Sequence, residues 1–258
     1  MRKFKILLVT PLSNIGGTEL STLSLATGLK QAGHHVCVMC NAHPLLDEFT
    51  DRGVHVVLGG MQRDPLGLLK DSSRLRRCID ENGIEIVHFQ SALPIVTSLL
   101  SGRAIKANRV RLVWTCRGIK GLSYAVAGHL FNYLIDFVIA NCDSEKNRLL
   151  RHGLSPQKIK TIYNCLNMPI PEDISKNREM LNELGVNGNT PIVGTASRLA
   201  PDRGVKYFIE TASIVAQQIP EAKFIIAGDG PLDKELRKQV ANLGIEKQVV
   251  FLGPRRDM

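Results

Sequence analysis

Arg198 and Arg203 stand five residues apart, just past a short apolar run, Ile192 to Val193, that leads through Gly194. A guanidinium offers a planar fork of donors that matches phosphate geometry, and it keeps its proton at any physiological pH. The pair reads as a clamp for a phosphate or diphosphate. Solvated turn residues are the plainer alternative, but two arginines beside one strand end favour the clamp. A second strand, Lys223 to Ala227, stops at Gly228-Asp229-Gly230-Pro231. In an open parallel sheet, ligands bind outside the carboxyl ends of the strands, where helix N-termini aim backbone N–H groups at them.

The elements that must position these residues are legible from periodicity. Arg203 and Gly204 open a helix in which Val205, Phe208, Ile209, Ala212, Val215, Ala216 and Ile219 share one face, leaving Lys206, Glu210 and Gln217 outside until Pro220 ends it. Near the N-terminus, the apolar run Lys5 to Thr10 ends in a turn containing Gly16, Gly17 and Glu19. Adjacent glycines allow close backbone approach to a ligand, and Thr18 is placed to cap the helix that follows through Gly33. A tight strand-to-helix turn explains the same glycines, and an acid in the first turn of a helix is favourable without any ligand. His88, at the end of the strand Ile84 to Phe89, is consistent both with ligand contact and with a hydrogen-bonded structural role.

Between these points strands and helices alternate. Strands are expected at Val36 to Cys40, Val54 to Leu58, Val110 to Thr115, Phe137 to Asn141 and Ile159 to Tyr163. Helices are expected around Leu45 to Arg52 and over Pro65 to Asn82, Pro94 to Lys106, residues 122 to 134, and Ser144 to His152. Such alternation implies a parallel sheet covered by helices on both faces. Residues 164 to 190 break the rhythm and read as a linker containing a short charged helix. The expected architecture is α/β: two Rossmann-like doubly wound domains, 1–168 and 169–258, with a ligand in the cleft between them.

The net charge of +9 is unevenly placed: residues 1 to 168 hold 21 Lys and Arg against 12 Asp and Glu, whereas residues 169 to 258 hold 12 of each. Such a field suits anionic lipid, a phosphorylated acceptor or nucleic acid. With aromatics at 5% and no interleaving of rings with basic residues, a stacking platform for nucleic acid is not expected. The helix Pro65 to Asn82 carries Lys70, Arg74, Arg76 and Arg77 beside five apolar residues, which fits a solvated outer helix or one lying on a membrane. No apolar run approaches the roughly 20 residues of a spanning helix, and the N-terminus lacks a secretory pattern, so the expected location is cytoplasmic. The six cysteines suggest reduced thiols; Cys37 and Cys40 form a CxxC inside a strand, where residues three apart face opposite sides, so neither zinc nor redox chemistry is expected there.

The residues together resemble glycosyltransferase family 4, whose members are retaining, metal-independent enzymes of the two-domain GT-B fold. The resemblance rests on Gly16, Gly17 and Glu19; on His88; on Tyr163 and Asn164; on Ser197 to Gly204 against the family's G-R-L-x-x-x-K-G; and on Gly228-Asp229-Gly230-Pro231 and Phe251-Leu252-Gly253. It implies that Arg198 and Arg203 hold the diphosphate of a nucleotide-sugar donor, with Gly228, Asp229 and Gly230 in the same site. Gly253, Pro254 and Arg255 would border the base, and Gly16 and Gly17 would face the diphosphate. Glu19, His88, Arg117 and Asn164 would lie on the acceptor side, the acceptor being a glycan or a lipid-linked molecule. No cofactor or metal is implied.

Several positions depart from the family. Arg203 stands at a usual lysine, Arg117 replaces the histidine of T-x-H-G, Gln90 occupies a common histidine position, and Asn164-Cys165-Leu166-Asn167 replaces N-G-V-D. The family's paired glutamates would fall past residue 258, so the second domain is expected to be incomplete and the 258 residues alone inactive. Competing readings are a nucleotide-sugar epimerase of the same fold and a non-catalytic nucleotide-binding fragment. A dinucleotide dehydrogenase is disfavoured because the first turn lacks G-x-G-x-x-G.

Overall fold

Runs such as KILLV and HVCVMC offer no polar face, so they are stable only as strands covered on both sides. The computed structural model describes residues 2–11, 16–59, 65–92, 94–95, 109–119, 123–165, 186 and 190–255. The chain divides into two units, Met1–Leu166 and Asn167–Met258.

In the first unit seven strands form one parallel sheet: β1 (Lys5–Val9), β2 (His35–Cys40), β3 (His55–Leu58), β4 (Ile86–Phe89), β5 (Arg111–Cys116), β6 (Phe137–Ala140) and β7 (Ile159–Thr161). Their order is β3-β2-β1-β4-β5-β6-β7. The chain runs outward from β1 through β2 to β3, then returns to place β4 on the other side of β1. The gap between the carboxyl ends of β1 and β4 is thus the point where strand order reverses.

Alternation divides the core. Leu7, Val9, Cys37 and Met39 pack with Leu75, Ile79, Trp114 and Phe131, and Ile6, Leu8, Val36, Val38 and Cys40 pack on the other face with Leu23, Ala26 and Phe49. The helices that supply these partners are α1 (Gly17–Gln31), α2 (Leu46–Asp51), α3 (Pro65–Asn82) and α4 (Ser123–Leu134), with α5 (Asp143–Arg151) adding Leu149. Cys37 and Cys40 therefore sit on opposite faces, in separate apolar clusters, and burial pushes the Cys40 thiol up to about 11.

The second unit has strands β8 (Ile192–Ala196), β9 (Lys223–Ala227) and β10 (Val249–Gly253), parallel in the order β10-β9-β8. Helices α6 (Val205–Gln218) and α7 (Asp233–Asn242) bring Ile209, Ala212, Leu236 and Val240 onto Phe224 and Ile226.

Three local expectations are corrected. The residue that caps α1 is Gly16, in extended backbone, and no side chain caps the helix; Thr18 lies inside the first turn, where its carbonyl accepts the Thr22 hydroxyl at 2.8 Å. Ile84 lies two residues past the end of α3, its N–H bonding back to the Ile79 carbonyl, and β4 starts at Ile86. Ile219 is past the end of α6 and 38% exposed, because the following Pro220 disfavours helical backbone at 219. The expected helix over 94–106 and the charged helix within 164–190 lie almost entirely outside the described residues.

Gly128, in the middle of α4, has a purpose that propensity hides. A Cβ there would come within 2.0 Å of the His152 carbonyl oxygen at the end of α5. Helix propensity alone predicts that Gly128→Ala stabilises by about 1 kcal/mol. The packing predicts the opposite sign, a net loss of about 1–3 kcal/mol as the helices are forced apart. Denaturant titration followed by circular dichroism distinguishes the two; a stabilised variant would overturn the packing account.

Candidate functional site

In the first unit a single face of the sheet changes character along its length. Parallel register places Ile6 beside Ile86 and Leu8 beside His88, so the next residues, Thr10 and Gln90, are level on the same face. Across the other edge of β4, His88 is beside Val113, which puts Thr115 and then Arg117 on that face too. The apolar floor beneath α1 thus gives way at the strand ends to Thr10, His88, Gln90, Thr115 and Arg117, and α1 adds Glu19 from its first turn. This polar patch lies at the point where strand order reverses.

Its members are tied together. The Arg117 guanidinium donates from Nη2 to Gln90 Oε1 at 3.0 Å and from Nη1 to Asn164 Oδ1 at 3.1 Å. Burial lowers its pKa and the Glu19 carboxylate works against that shift; a guanidinium keeps its proton nonetheless. Both of these acceptors are neutral amide oxygens. Glu19 is buried, with an oxygen 3.2 Å from where a Cβ on Gly16 would sit, so a side chain at residue 16 would crowd the carboxylate. At Gly17 the same position is open space.

The Nε2 atom of His88 and the Thr115 hydroxyl oxygen lie 2.7 Å apart, and the imidazole is buried. Burial first, and the Arg117 charge second, hold its pKa down to about 4. At neutral pH it is an uncharged ring that can orient a hydroxyl or carry a proton only transiently. Several donors in this region are left over. Gln90 Nε2, Arg117 Nε, Ser91 Oγ and Thr10 Oγ1 are buried with no hydrogen-bond partner among the described residues.

In the second unit the strand-end turns are stitched to each other. The Leu199 N–H donates to the Asp229 carbonyl at 2.7 Å, and the Gly228 N–H to the Gly253 carbonyl at 2.7 Å. Gly228 has φ 133 and Gly230 φ 153, and a Cβ at either would strike the carbonyl of Ser197 or Leu199, at 1.9 and 2.4 Å. Both glycines are therefore required by backbone packing before any ligand is considered. Asp229, Pro254 and Arg255 are exposed beside them.

Arg198 and Arg203 do come together, on a group that sequence reasoning passed over. Asp202 holds Arg198 Nη2 at 3.6 Å with one carboxylate oxygen and Arg203 Nε at 3.6 Å with the other. All three side chains are more than half exposed, so these ion pairs are weak and exchangeable. The signal that could have identified Asp202 is the spacing itself, four residues after Arg198 and directly before Arg203. For Thr10, Gln90 and Thr115 the signal was polar residues alternating with Val9, Phe89 and Cys116. Among the described residues, no group of three or more His, Cys, Asp or Glu side chains is placed to hold a metal ion.

The family model for Glycosyltransferase Family 4 matches residues 15–168, and that for Glycosyl transferases group 1 matches residues 176–258. The chain belongs to glycosyltransferase family 4, and its fold is of the GT-B type. It is 25% identical over 278 aligned residues to a phosphatidylinositol N-acetylglucosaminyltransferase subunit of Arabidopsis thaliana, covering 97% of this chain and 58% of that protein. It thus spans little more than half of that relative. The structure resembles a glycosyltransferase from Rickettsia africae, TM-score 0.83 and 21% identity, covering 100% of this chain and 70% of that one. It also resembles Anabaena Alr3699/HepE in complex with UDP-glucose, TM-score 0.78 and 26% identity, covering 98% of this chain and 70% of that one.

His88 makes the site's electrostatics measurable. Because the folded-state value, about 4, is below the ordinary 6.5, the unfolded chain binds the extra proton between those pH values. The stability contributed by this group should be flat above pH 6.5 and fall on acidification toward pH 4, by on the order of 3 kcal/mol in all. Arg117→Gln should raise the His88 value only partway, since burial is the larger cause. An imidazole C2–H titration by NMR reads this directly; a value unchanged by the substitution would remove Arg117 as a cause.

Proposed function

We propose that this chain supplies the donor and acceptor sites of a retaining glycosyltransferase that moves a sugar from a nucleotide diphosphate sugar to a glycan or lipid-linked acceptor, without a metal ion. The observation that carries this reading is the sharing of one exposed carboxylate by Arg198 and Arg203 at the end of β8. A diphosphate can displace Asp202 and take both guanidinium groups, and the same contacts strengthen as negative charge builds on the departing diphosphate. Gly228, Asp229, Gly230, Gly253, Pro254 and Arg255 border the donor from the neighbouring turns, and in the first unit Gly16 and Gly17 leave the turn before α1 open to close backbone approach by a ligand. Glu19, His88, Arg117 and Asn164 receive the acceptor, with neutral His88 orienting its hydroxyl.

A peripheral contact with the inner face of a membrane, from the cytoplasm, accompanies this reading. No described helix is long and apolar enough to cross a membrane. On α3, however, Leu66 and Leu69 are 71% and 57% exposed, next to exposed Lys70, Arg74, Arg76 and Arg77. The same helix buries Leu75, Cys78 and Ile79 in the core, so it also serves as an outer cover of the sheet. Apolar tips ringed by cations are suited to an anionic lipid surface. Sedimentation should show binding to vesicles containing anionic lipid that falls with salt and with Leu66→Ser/Leu69→Ser; equal binding to neutral vesicles would exclude the electrostatic part.

The donor reading is tested by calorimetry with UDP. Arg198→Ala and Arg203→Ala should each weaken binding by about 1.5 kcal/mol, the lower end for a hydrogen bond to a charged group, because both side chains are partly solvated. Asp202→Asn should strengthen it by removing the competing carboxylate. Unchanged affinity in all three variants would sink the clamp. An epimerase would convert the donor with no acceptor present; product from a nucleotide sugar alone would favour that reading.

A further inference from the structure

The leftover hydrogen-bonding groups at the β4 and β5 ends have a common chemical character. Arg117 spends its two Nη groups on amide oxygens of Gln90 and Asn164, and its Nε–H has no partner among the described residues. Gln90 is 1% exposed; because its Oε1 already accepts from Arg117, what remains free is the donating Nε2 group. The adjoining Ser91 hydroxyl is likewise unpartnered among the described residues, as is that of Thr10, level with Gln90 on the next strand. Neutral His88 and the Thr115 hydroxyl satisfy one another. What is left is a set of N–H and O–H donors around a cation that bonds to neutral amide oxygens.

A buried donor without an acceptor costs about 1–3 kcal/mol, and such groups are retained where a ligand completes them. A sugar hydroxyl does so poorly, since it brings a donor of its own along with each acceptor. An oxyanion brings acceptors only, and it pairs with a guanidinium in short, charge-assisted bonds. Glu19 lies on the far side of the balance: its charge is felt at Arg117, which limits the site to one that welcomes an anion only through direct bonding.

We infer that the acceptor bound by the first unit carries an oxyanion, a phosphoryl or carboxylate group, that docks on Arg117 Nε and Gln90 Nε2 with the Ser91 hydroxyl as a third donor. This deepens the proposed function and rests on its assignment of the acceptor to the first unit. Arg117 and Ser91 are the half-buried members, so the anion reaches the donors from their side. Arg117 then sets specificity: where the family pattern has a histidine, this chain has a permanent cation that selects a charged acceptor over a neutral glycan. The hydroxyl to be glycosylated lies beside the anion, toward His88.

The test uses the 258-residue chain labelled with nitrogen-15, titrated in turn with inorganic phosphate, acetate and glycerol. The side-chain signals of Arg117 Nε–H and Gln90 Nε2 are the readout. Phosphate, acetate or both should shift the two signals along one saturation curve, the stronger of the two naming the anion, while glycerol leaves them in place. Ser91→Ala should weaken the anion roughly fivefold, as expected for one lost hydrogen bond, although a merely structural role for this unpartnered hydroxyl predicts no change. Arg117→Gln should abolish the response, and Arg117→Lys, which keeps the charge but not the fork, should restore part of it. Equal shifts with glycerol, or none with either anion, would overturn the inference. Arg198→Ala/Arg203→Ala should leave these shifts intact while losing UDP. UDP binding without an anion response at Gln90 and Arg117 defeats this inference alone; an anion response without UDP binding defeats the donor clamp alone.

Discussion

A parallel sheet covered on both faces has almost nowhere to put a polar side chain except at the ends of its strands. The first unit follows that constraint closely. Leu7, Leu8, Val87 and Val138 fill the middle of the sheet, and the polar residues of these strands are displaced toward the strand ends, those of the site to the carboxyl end. Because the chain leaves β1 and β4 toward opposite edges of the sheet, the polar residues at the two strand ends meet in one patch at the point where strand order reverses. The chemistry of the unit is a consequence of this packing rule. His88 is neutral because the sheet buries it, and Arg117 spends its Nη atoms on amide oxygens while the Glu19 carboxylate offsets part of the effect of burial on it.

The second unit solves a different problem with the same edge. Its three turns must approach one another closely enough for the backbone of one to bond the backbone of the next, and Gly228 and Gly230 permit this by presenting no Cβ to the opposing carbonyls. The turns thereby form a hydrogen-bonded backbone frame, on which Arg198 and Arg203 are solvated cations beside a shared acid. Exchangeable charge suits reversible pairing with an anion, since Asp202 can be released at little cost because ion pairs at the surface are weak.

The two units thus treat charge in opposite ways. In the first, the imidazole is withdrawn from water and its neutral state is set by burial beside a half-buried cation. In the second, the arginines stand more than half exposed on a shared carboxylate, and solvent screens them. The basic excess of residues 1 to 168 lies partly outside either patch, on surfaces such as α3.

Much of the architecture was determined by the sequence alone. Alternating apolar runs and amphipathic helices specify a doubly wound sheet, since period-2 and period-3.6 patterns admit few other pairings, and even the opposite burial of Cys37 and Cys40 follows from strand parity. The arginine pair and the glycine turns were visible as spacing. What only the tertiary structure decided was partnership. That Arg117 bonds Gln90 and Asn164, from three strand ends, depends on a strand order that no local pattern encodes. That Gly128 is needed against His152 reverses a propensity argument, because the approach of two helices is a property of the packed core. Capping at Gly16 and the exposure of Ile219 differed from expectation for a smaller reason: helix ends shift by a residue or two with local backbone geometry, which at Ile219 is set by the proline that follows. Periodicity records which face a residue turns toward the core; which residue it meets there is settled only when the strands are ordered.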